Sequence, residues 1–312
     1  MGIVSSIYIK KFVCRYDKEV GVPYHSYLDF KGLHKEEFTF NNSNNIEIHY
    51  FYYYYDNYDD SRLLLFLHGI GPGHDAYLKE IETFARKGYK VLTLDYQGCG
   101  YSKGKYLGSL NEPTRDVVDL LNHLKIDKEI ILLGHSLGGY TALNIISLSK
   151  YKNIHKAVAL APFLDIKSLS IHFVKSKFIV NRITSYERKV NKEYFYINIL
   201  DYLHKTKDKI LYIQSEDDQM IPYNISLKLV EDIDNKNITC VKVNNKGHNP
   251  IYSESAVKYL NEVFSRYNKE IKNKKIKNDE DSIDYFKNVS LEKLVEQDEN
   301  IIELIYQFIE SK

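Results

Sequence analysis

The sequence predicts an α/β fold, a mostly parallel eight-stranded sheet with helices on both faces and a small helical cap. Three observations carry this expectation. Short apolar runs bounded by turn residues recur along the chain, as strands buried on both faces require. Stretches with helical apolar spacing separate them, and such alternation builds a parallel sheet covered on both sides. One strand-to-helix junction carries a serine between glycines, Gly134-His135-Ser136-Leu137-Gly138.

In chain order, Glu37 to Phe40 and Ile46 to Tyr55 predict two strands joined by the Asn-rich link Asn41 to Asn45, an antiparallel edge. The tyrosine run Tyr52 to Tyr55 suits the pleated surface of the second. Buried strands are expected at Leu63 to Leu67, Val91 to Leu94, Ile130 to Leu133, Ala157 to Ala161, Ile210 to Ile213 and Thr239 to Val243. Between them, Ala76 to Lys87 aligns Leu78, Ile81, Phe84 and Ala85 on one helical face, with Asp75 as N-cap and Gly88 just beyond the end. Asn111 to Leu124, Leu137 to Leu148 and Ser253 to Tyr267 read as helices by the same spacing.

Two segments break the alternation. Leu164 to Lys205 leaves the sheet between two strands and is too long for an ordinary loop. It carries helical stretches at Ile171 to Ile179 and Tyr194 to Leu203. Beyond Tyr267 a lysine-rich stretch and an acidic patch precede one or two amphipathic helices. The expected organisation is an N-terminal arm (1–36), a main domain (37–272) with a cap insertion (164–205), and a C-terminal amphipathic helical extension (273–312).

Composition narrows the function. The 312 residues carry 43 Lys+Arg against 42 Asp+Glu, without the basic excess of a dedicated nucleic-acid binder. Cys14, Cys99 and Cys240 are odd in number and lack C-x-x-C spacing, which argues against a disulfide framework or cysteine zinc site and points to a reducing, cytoplasmic setting. No apolar run approaches the ~20 residues that span a bilayer.

The chemistry starts at Ser136. A serine in a tight turn between strand and helix has the setting of a nucleophile elbow, with its Oγ raised from the sheet and helix N–H groups beside it. Such a serine needs a base, and the base needs a carboxylate. Both follow in the order serine, acid, histidine. Ile210 to Ile213 leads into Glu216-Asp217-Asp218, and Thr239 to Val243 leads into Gly247-His248. The carboxyl ends of parallel strands are where open α/β sheets place their sites. Asp218 is the expected acid from the pattern Asp-x-x-Ile-Pro, with Asp217 the alternative. His68-Gly69-Ile70 follows an earlier strand, so the Ile70 and Leu137 N–H groups are the expected oxyanion donors. His68 orders that loop; a His68/His74 metal site lacks an acidic partner at ligand spacing, so no metal or cofactor is expected.

These motifs resemble the α/β-hydrolase superfamily, and most of all its serine esterase and lipase branch, which includes monoacylglycerol-lipase-like and serine-aminopeptidase-like members. The resemblance covers about Glu37 to Tyr267. It rests on His68-Gly69, Asp95-x-x-Gly98-x-Gly100-x-Ser102, Gly134 to Gly139, Asp218 to Pro222 and Gly247-His248. It implies that the Asp95 turn is structural and that 164–205 is the family's variable cap. Ser215 departs from a glycine common in the acid loop. The family's dehalogenases and epoxide hydrolases use an aspartate nucleophile, and its proline iminopeptidases usually carry Trp beside the serine. This chain has Ser136, Leu137 and no Trp.

The expected function is hydrolysis of small-molecule carboxylic esters, acyl or lipid-like, of short to medium chain. Thioesterase or aminopeptidase activity and a non-catalytic binding role are the alternatives. Phe163, Phe173, Phe178 and Phe195 are the candidate pocket residues, and mutation of Phe173 or Phe195 is expected to change acyl preference. The cap has eight Lys/Arg against four Asp/Glu, read as a solvated basic face. Met1-Gly2 with Ser6 matches a myristoylation pattern, set against an N-terminal strand or arm that packs on the body. Nothing in the sequence indicates the oligomeric state.

Overall fold

The computed structural model describes residues 3–311; the Met1-Gly2 acylation motif lies outside them. Eight strands form one sheet in the order β1-β2-β4-β3-β5-β6-β7-β8. The edge strands β1 (His34–Asn41) and β2 (Glu47–Tyr54) pair antiparallel, and β2 also runs antiparallel to β4 (Tyr89–Leu94). The other neighbours are parallel: β3 (Asp59–Leu67), β5 (Glu129–His135), β6 (Ile154–Leu160), β7 (Lys209–Ser215) and β8 (Ile238–Val243). The chain passes from β3 to one side for β4 and returns to the other side for β5. The carboxyl ends of β3 and β5 therefore flank a topological switch point, the position where such sheets open a crevice.

Period-2 alternation divides each central strand between two cores. Leu63, Leu65 and Leu67 join Leu132 and Tyr212 beneath α3 (Glu112–Leu124) and α4 (Leu137–Ser147). Leu64 and Phe66 join Leu133 and Ile213 beneath α2 (Leu78–Arg86), α10 (Glu254–Lys272) and α13 (Glu299–Glu310). Burial on both faces is why these strands read as unbroken apolar runs.

Several expectations are corrected at the ends of elements. Asp75 caps no helix: it lies inside a 3₁₀ turn, His74–Tyr77, ahead of α2, and its carboxylate pairs with Lys18. The stretch Ile171 to Ile179 is not one helix. α5 (Ile166–Phe173) stops at an extended Val174, and α6 (Lys177–Val190) begins anew. α7 (Lys192–Phe195) and α8 (Ile199–Lys205) complete the insertion. After α10 come three helices, α11 (Asp279–Phe286), α12 (Leu291–Leu294) and α13. Ile301, Ile302, Ile305 and Ile309 of α13 share the core of the parallel strands. The N-terminal segment is a helix, α1 (Ile3–Phe12), rather than a strand. Behind it, Gly108 and Leu107 donate backbone bonds to Val13 and Cys14, and Arg15 donates to the carbonyls of Gly100, Ser102 and Gly104.

Glu80, in the first turn of α2, is buried, and its Oε2 has no hydrogen-bond partner among the described residues. Burial pushes its carboxyl from 4.5 up to about 7. The folded chain thus holds this proton more tightly than the unfolded chain. The contribution is intact below pH 4.5 and is lost as pH rises toward about 7, a loss of about 3 kcal/mol. Glu80→Gln carries no such proton, so its melting temperature is expected to fall less than wild type between pH 5 and 8. Parallel melting curves for the two proteins across that range exclude Glu80 as a source of the slope.

Candidate active site

The turn after β5 brings strand and helix so close that side chains are excluded. A Cβ on Gly138 would lie 1.9 Å from the Leu67 carbonyl oxygen, and one on Gly134 would lie 2.2 Å from that of Gly138. Ser136, between them, is held at φ 55° and ψ −118°, a conformation that side chains avoid and that surrounding structure must enforce. Its N–H donates to the Leu160 carbonyl at 2.8 Å, which leaves the Oγ free to face the crevice.

The histidine and acid loops meet it there. His248 Nε2 lies 2.8 Å from Ser136 Oγ, and His248 Nδ1 lies 2.8 Å from Asp218 Oδ2. Asp218 is 4% exposed. Its other oxygen accepts the N–H groups of Met220 and Ile221, each at 2.9 Å, so the carboxylate faces the imidazole in one orientation. Asp217 points elsewhere. It accepts from the Ser215 hydroxyl and from Gly247 N–H. Burial works against its charge, yet these donors hold its carboxyl below the usual value. Ser215, the departure from glycine, gives its hydroxyl proton to Asp217 and accepts from Lys246 N–H. It ties the acid loop to the histidine loop.

Ile70 lines the crevice and Leu137 follows Ser136 as the first residue of α4, and neither N–H donates a hydrogen bond among the described residues. The Leu137 N–H is free because it opens a helix. Gly69 lies beneath: a Cβ there would sit 2.5 Å from the Tyr77 hydroxyl and 3.3 Å from Ser136 Cβ. His68 Nδ1 donates to the Gly69 carbonyl at 2.7 Å, and burial lowers its pKa to about 4, so it is a neutral loop support. His74 contacts Asp95 through Nδ1 and the Tyr53 hydroxyl through Nε2, both at 2.8 Å. Asp95 also accepts from the N–H groups of His74 and Tyr101. Asp95 and His74 brace the two loops behind the site.

Two side chains that support the site, His135 and Lys246, were not singled out in the sequence. His135 Nε2 donates to the His248 carbonyl at 2.7 Å, and its Nδ1 accepts from the Tyr77 hydroxyl at 2.9 Å. Burial, then the neighbouring His248, lowers its pKa to about 3, so it holds the histidine loop as a neutral donor. Lys246 is buried and donates to Asp298 and to the Tyr252 carbonyl, so the C-terminal extension braces the same loop. A position directly before the elbow serine was the one available hint for His135; the partners Tyr77 and Asp298 are remote in sequence.

A cavity of about 440 Å³ opens from Ser136 and His248. Phe163, Phe173, Leu169 and Ile183 line it, and so do Tyr8, Phe12 and Tyr16 from the N-terminal segment. Phe178 and Phe195 do not. On α6 the buried stripe is Val180, Ile183 and Glu187; Phe178 faces away at 62% exposure, beneath the Arg182 guanidinium. Phe195 packs edge-on against Tyr196. Among the described residues, no Asp, Glu, Lys or Arg lines the cavity. The lysines and arginines of 164–205 are all exposed. No group of three or more ligating side chains able to hold a metal occurs among the described residues, and no helix among them is long and apolar enough to cross a membrane.

Comparison with known proteins agrees with this architecture. The family described as serine aminopeptidase, S33, matches residues 59–192. Salicylic acid-binding protein 2 of Nicotiana tabacum is 31% identical over 34% of this chain and 41% of its own length. A putative monoglyceride lipase of Schizosaccharomyces pombe is 25% identical over 58% of this chain and 49% of its own. The chain spans between 22% and 41% of the length of the first curated relatives it matches. Among solved structures, an esterase of Pyrococcus furiosus superposes with a TM-score of 0.57 at 19% identity, covering 83% of this chain and 98% of that one. Mouse alpha/beta hydrolase domain-containing protein 10 gives 0.52 at 16% identity, covering 76% and 99%. At such identities these structures establish the fold.

Proposed function

We propose that this chain is an α/β-hydrolase that hydrolyses carboxylic esters through an acyl-serine intermediate. The observation that carries the proposal is the continuous chain Ser136 Oγ, His248 Nε2, His248 Nδ1 and Asp218 Oδ2, with 2.8 Å at both junctions. Ser136 attacks the acyl carbon while His248 takes its proton. The Ile70 and Leu137 N–H groups hold the tetrahedral oxyanion. His248 returns the proton to the leaving alcohol, and a water repeats the sequence to free the acid. Asp218 keeps the proton on Nδ1 throughout, and no step calls for a metal or cofactor.

The cavity favours esters over peptides. An aminopeptidase must pair its substrate's free ammonium, since a buried charge without a partner is costly, and among the described residues no carboxylate lines this cavity. Apolar walls suit a neutral acyl chain. They also fit the similarity to putative methylesterases, a putative esterase/lipase and a putative monoglyceride lipase. Thioesters react by the same acyl transfer and are the second substrate class. In this reading residues 37–272 carry the chemistry, 164–205 cap it, and the segments 1–36 and 273–312 are a wall and a brace. Three unpaired cysteines fit a cytoplasmic protein.

The test is a panel of straight-chain p-nitrophenyl esters, acyl thioesters and aminoacyl anilides, together with labelling by a fluorophosphonate probe. Ester turnover with stoichiometric labelling at Ser136 is expected. Labelling absent at Ser136, or turnover confined to the anilides, refutes the proposal.

A further inference from the structure

We infer that the N-terminal helix α1 is the wall of the acyl pocket that sets chain length, with Phe12 as its stop and the Tyr8–Glu187 hydrogen bond as its fixing point. This rests on the ester-hydrolase proposal and deepens it. The substrates it selects are esters of straight, unfunctionalised acyl chains of medium length.

A pocket discriminates by length only if its far wall is rigid and apolar. The α1 wall is both. Tyr8 and Phe12 border the cavity, and their rings stack 5.9 Å apart. Phe12 reaches toward the cap, where its ring lies 6.4 Å from that of Phe173. These two rings border the cavity and are 38% and 47% exposed, so they stand between its interior and solvent. A chain that runs from Ser136 along Leu169 and Ile183 is stopped there.

The fixing point is polar and buried. Tyr8 donates to Glu187 Oε1 at 2.6 Å. The same carboxylate accepts from Leu110 N–H at 3.1 Å and from Ser109 Oγ at 2.5 Å. Glu187 is completely buried, and among the described residues its partners are donors without a full positive charge. Burying a carboxylate is costly unless hydrogen bonds replace its hydration. Here three donors do so, and together they join α1, the loop before α3 and the cap helix α6 at one point. The other end of the wall is fixed as well. Tyr16 donates through its hydroxyl to the Phe12 carbonyl at 2.9 Å, and its N–H donates to the Gly98 carbonyl. The wall is therefore a second boundary of the pocket, built outside the segment that the sequence marks as the cap.

The experiment measures kcat/KM on straight-chain p-nitrophenyl esters from acetate to dodecanoate. It compares wild type, Phe12→Ala, Tyr8→Phe and the control Phe195→Ala, whose ring lies outside the cavity. Phe12→Ala is expected to raise the dodecanoate-to-butyrate ratio by roughly tenfold, the scale of apolar-pocket discrimination. Tyr8→Phe, which frees the wall but keeps its ring, is expected to raise KM for the longer esters with kcat little changed. Phe195→Ala keeps the wild-type profile. If both wall variants keep wild-type chain-length ratios while fluorophosphonate still labels Ser136, α1 is packing and this inference falls alone. A wild-type protein that hydrolyses no ester overturns this inference and the hydrolase proposal together.

Discussion

Ser136→Ala is expected to lower kcat/KM for ester hydrolysis by a factor of about 10⁴ or more, by analogy with other serine triads, while the protein remains folded. The variant removes one atom. That Oγ has His248 Nε2 as its hydrogen-bond partner, and it faces the crevice rather than the core. The strained backbone at φ 55° is enforced by the glycine contacts on either side, and alanine accepts it no worse than serine. Stability should therefore stay close to wild type, and thermal melting checks this directly. What disappears is the nucleophile, so the acyl-enzyme cannot form. His248→Ala is expected to show a loss of the same size, because without a base the serine proton has nowhere to go. The double variant should be no slower than either single one, since the two groups act as a unit. Single-variant turnover within tenfold of wild type would remove Ser136 from the mechanism.

The fold was legible because the central strands are buried on both faces, so runs such as Leu63 to Leu67 and Ile130 to Leu133 stand out against the helical spacing between them. The meeting of Ser136, Asp218 and His248 in one crevice was legible for a related reason. Each lies in the turn or loop after a recognisable strand, and the sheet brings those strand ends to one edge. The cap was less so. Its composition showed an apolar segment but not which side of each helix faced inward, and Phe178 lies opposite the stripe of Val180 and Ile183. The break at Val174 between α5 and α6 carries neither Gly nor Pro to announce it.

Contacts between segments distant in sequence left no local trace. Tyr8 meets Glu187 across 179 positions, and Lys246 meets Asp298 across 52. In isolation each reads as an ordinary residue: a tyrosine in a short apolar arm, a glutamate on a cap helix, a lysine in a loop. Only the tertiary structure turns the first pair into a pocket wall and the second into a brace for the histidine loop.

Asp218→Asn is expected to lower turnover by about 10⁴-fold, the scale of a histidine left in the wrong tautomer. Asp217→Asn should change it by no more than a few-fold. The hydrogen bonds around Asp218 dictate the difference. Its Oδ1 accepts the N–H groups of Met220 and Ile221, a place that only an oxygen can fill. An asparagine at 218 must therefore keep its carbonyl there and turn its amide N–H₂ toward His248 Nδ1. That nitrogen then has to accept, so the imidazole proton moves to Nε2. A protonated Nε2 cannot take the proton of Ser136 Oγ, 2.8 Å away. The geometry survives and the chemistry stops. Asp217 has no such hold on the ring: its partners are Ser215 and the Gly247 N–H, so its loss loosens the loop and leaves the tautomer alone. Steady-state rates for the two variants, with melting temperatures to confirm folding, decide between the adjacent acids. The larger loss in Asp217→Asn would transfer the acid's role to that residue and leave Asp218 as a loop anchor.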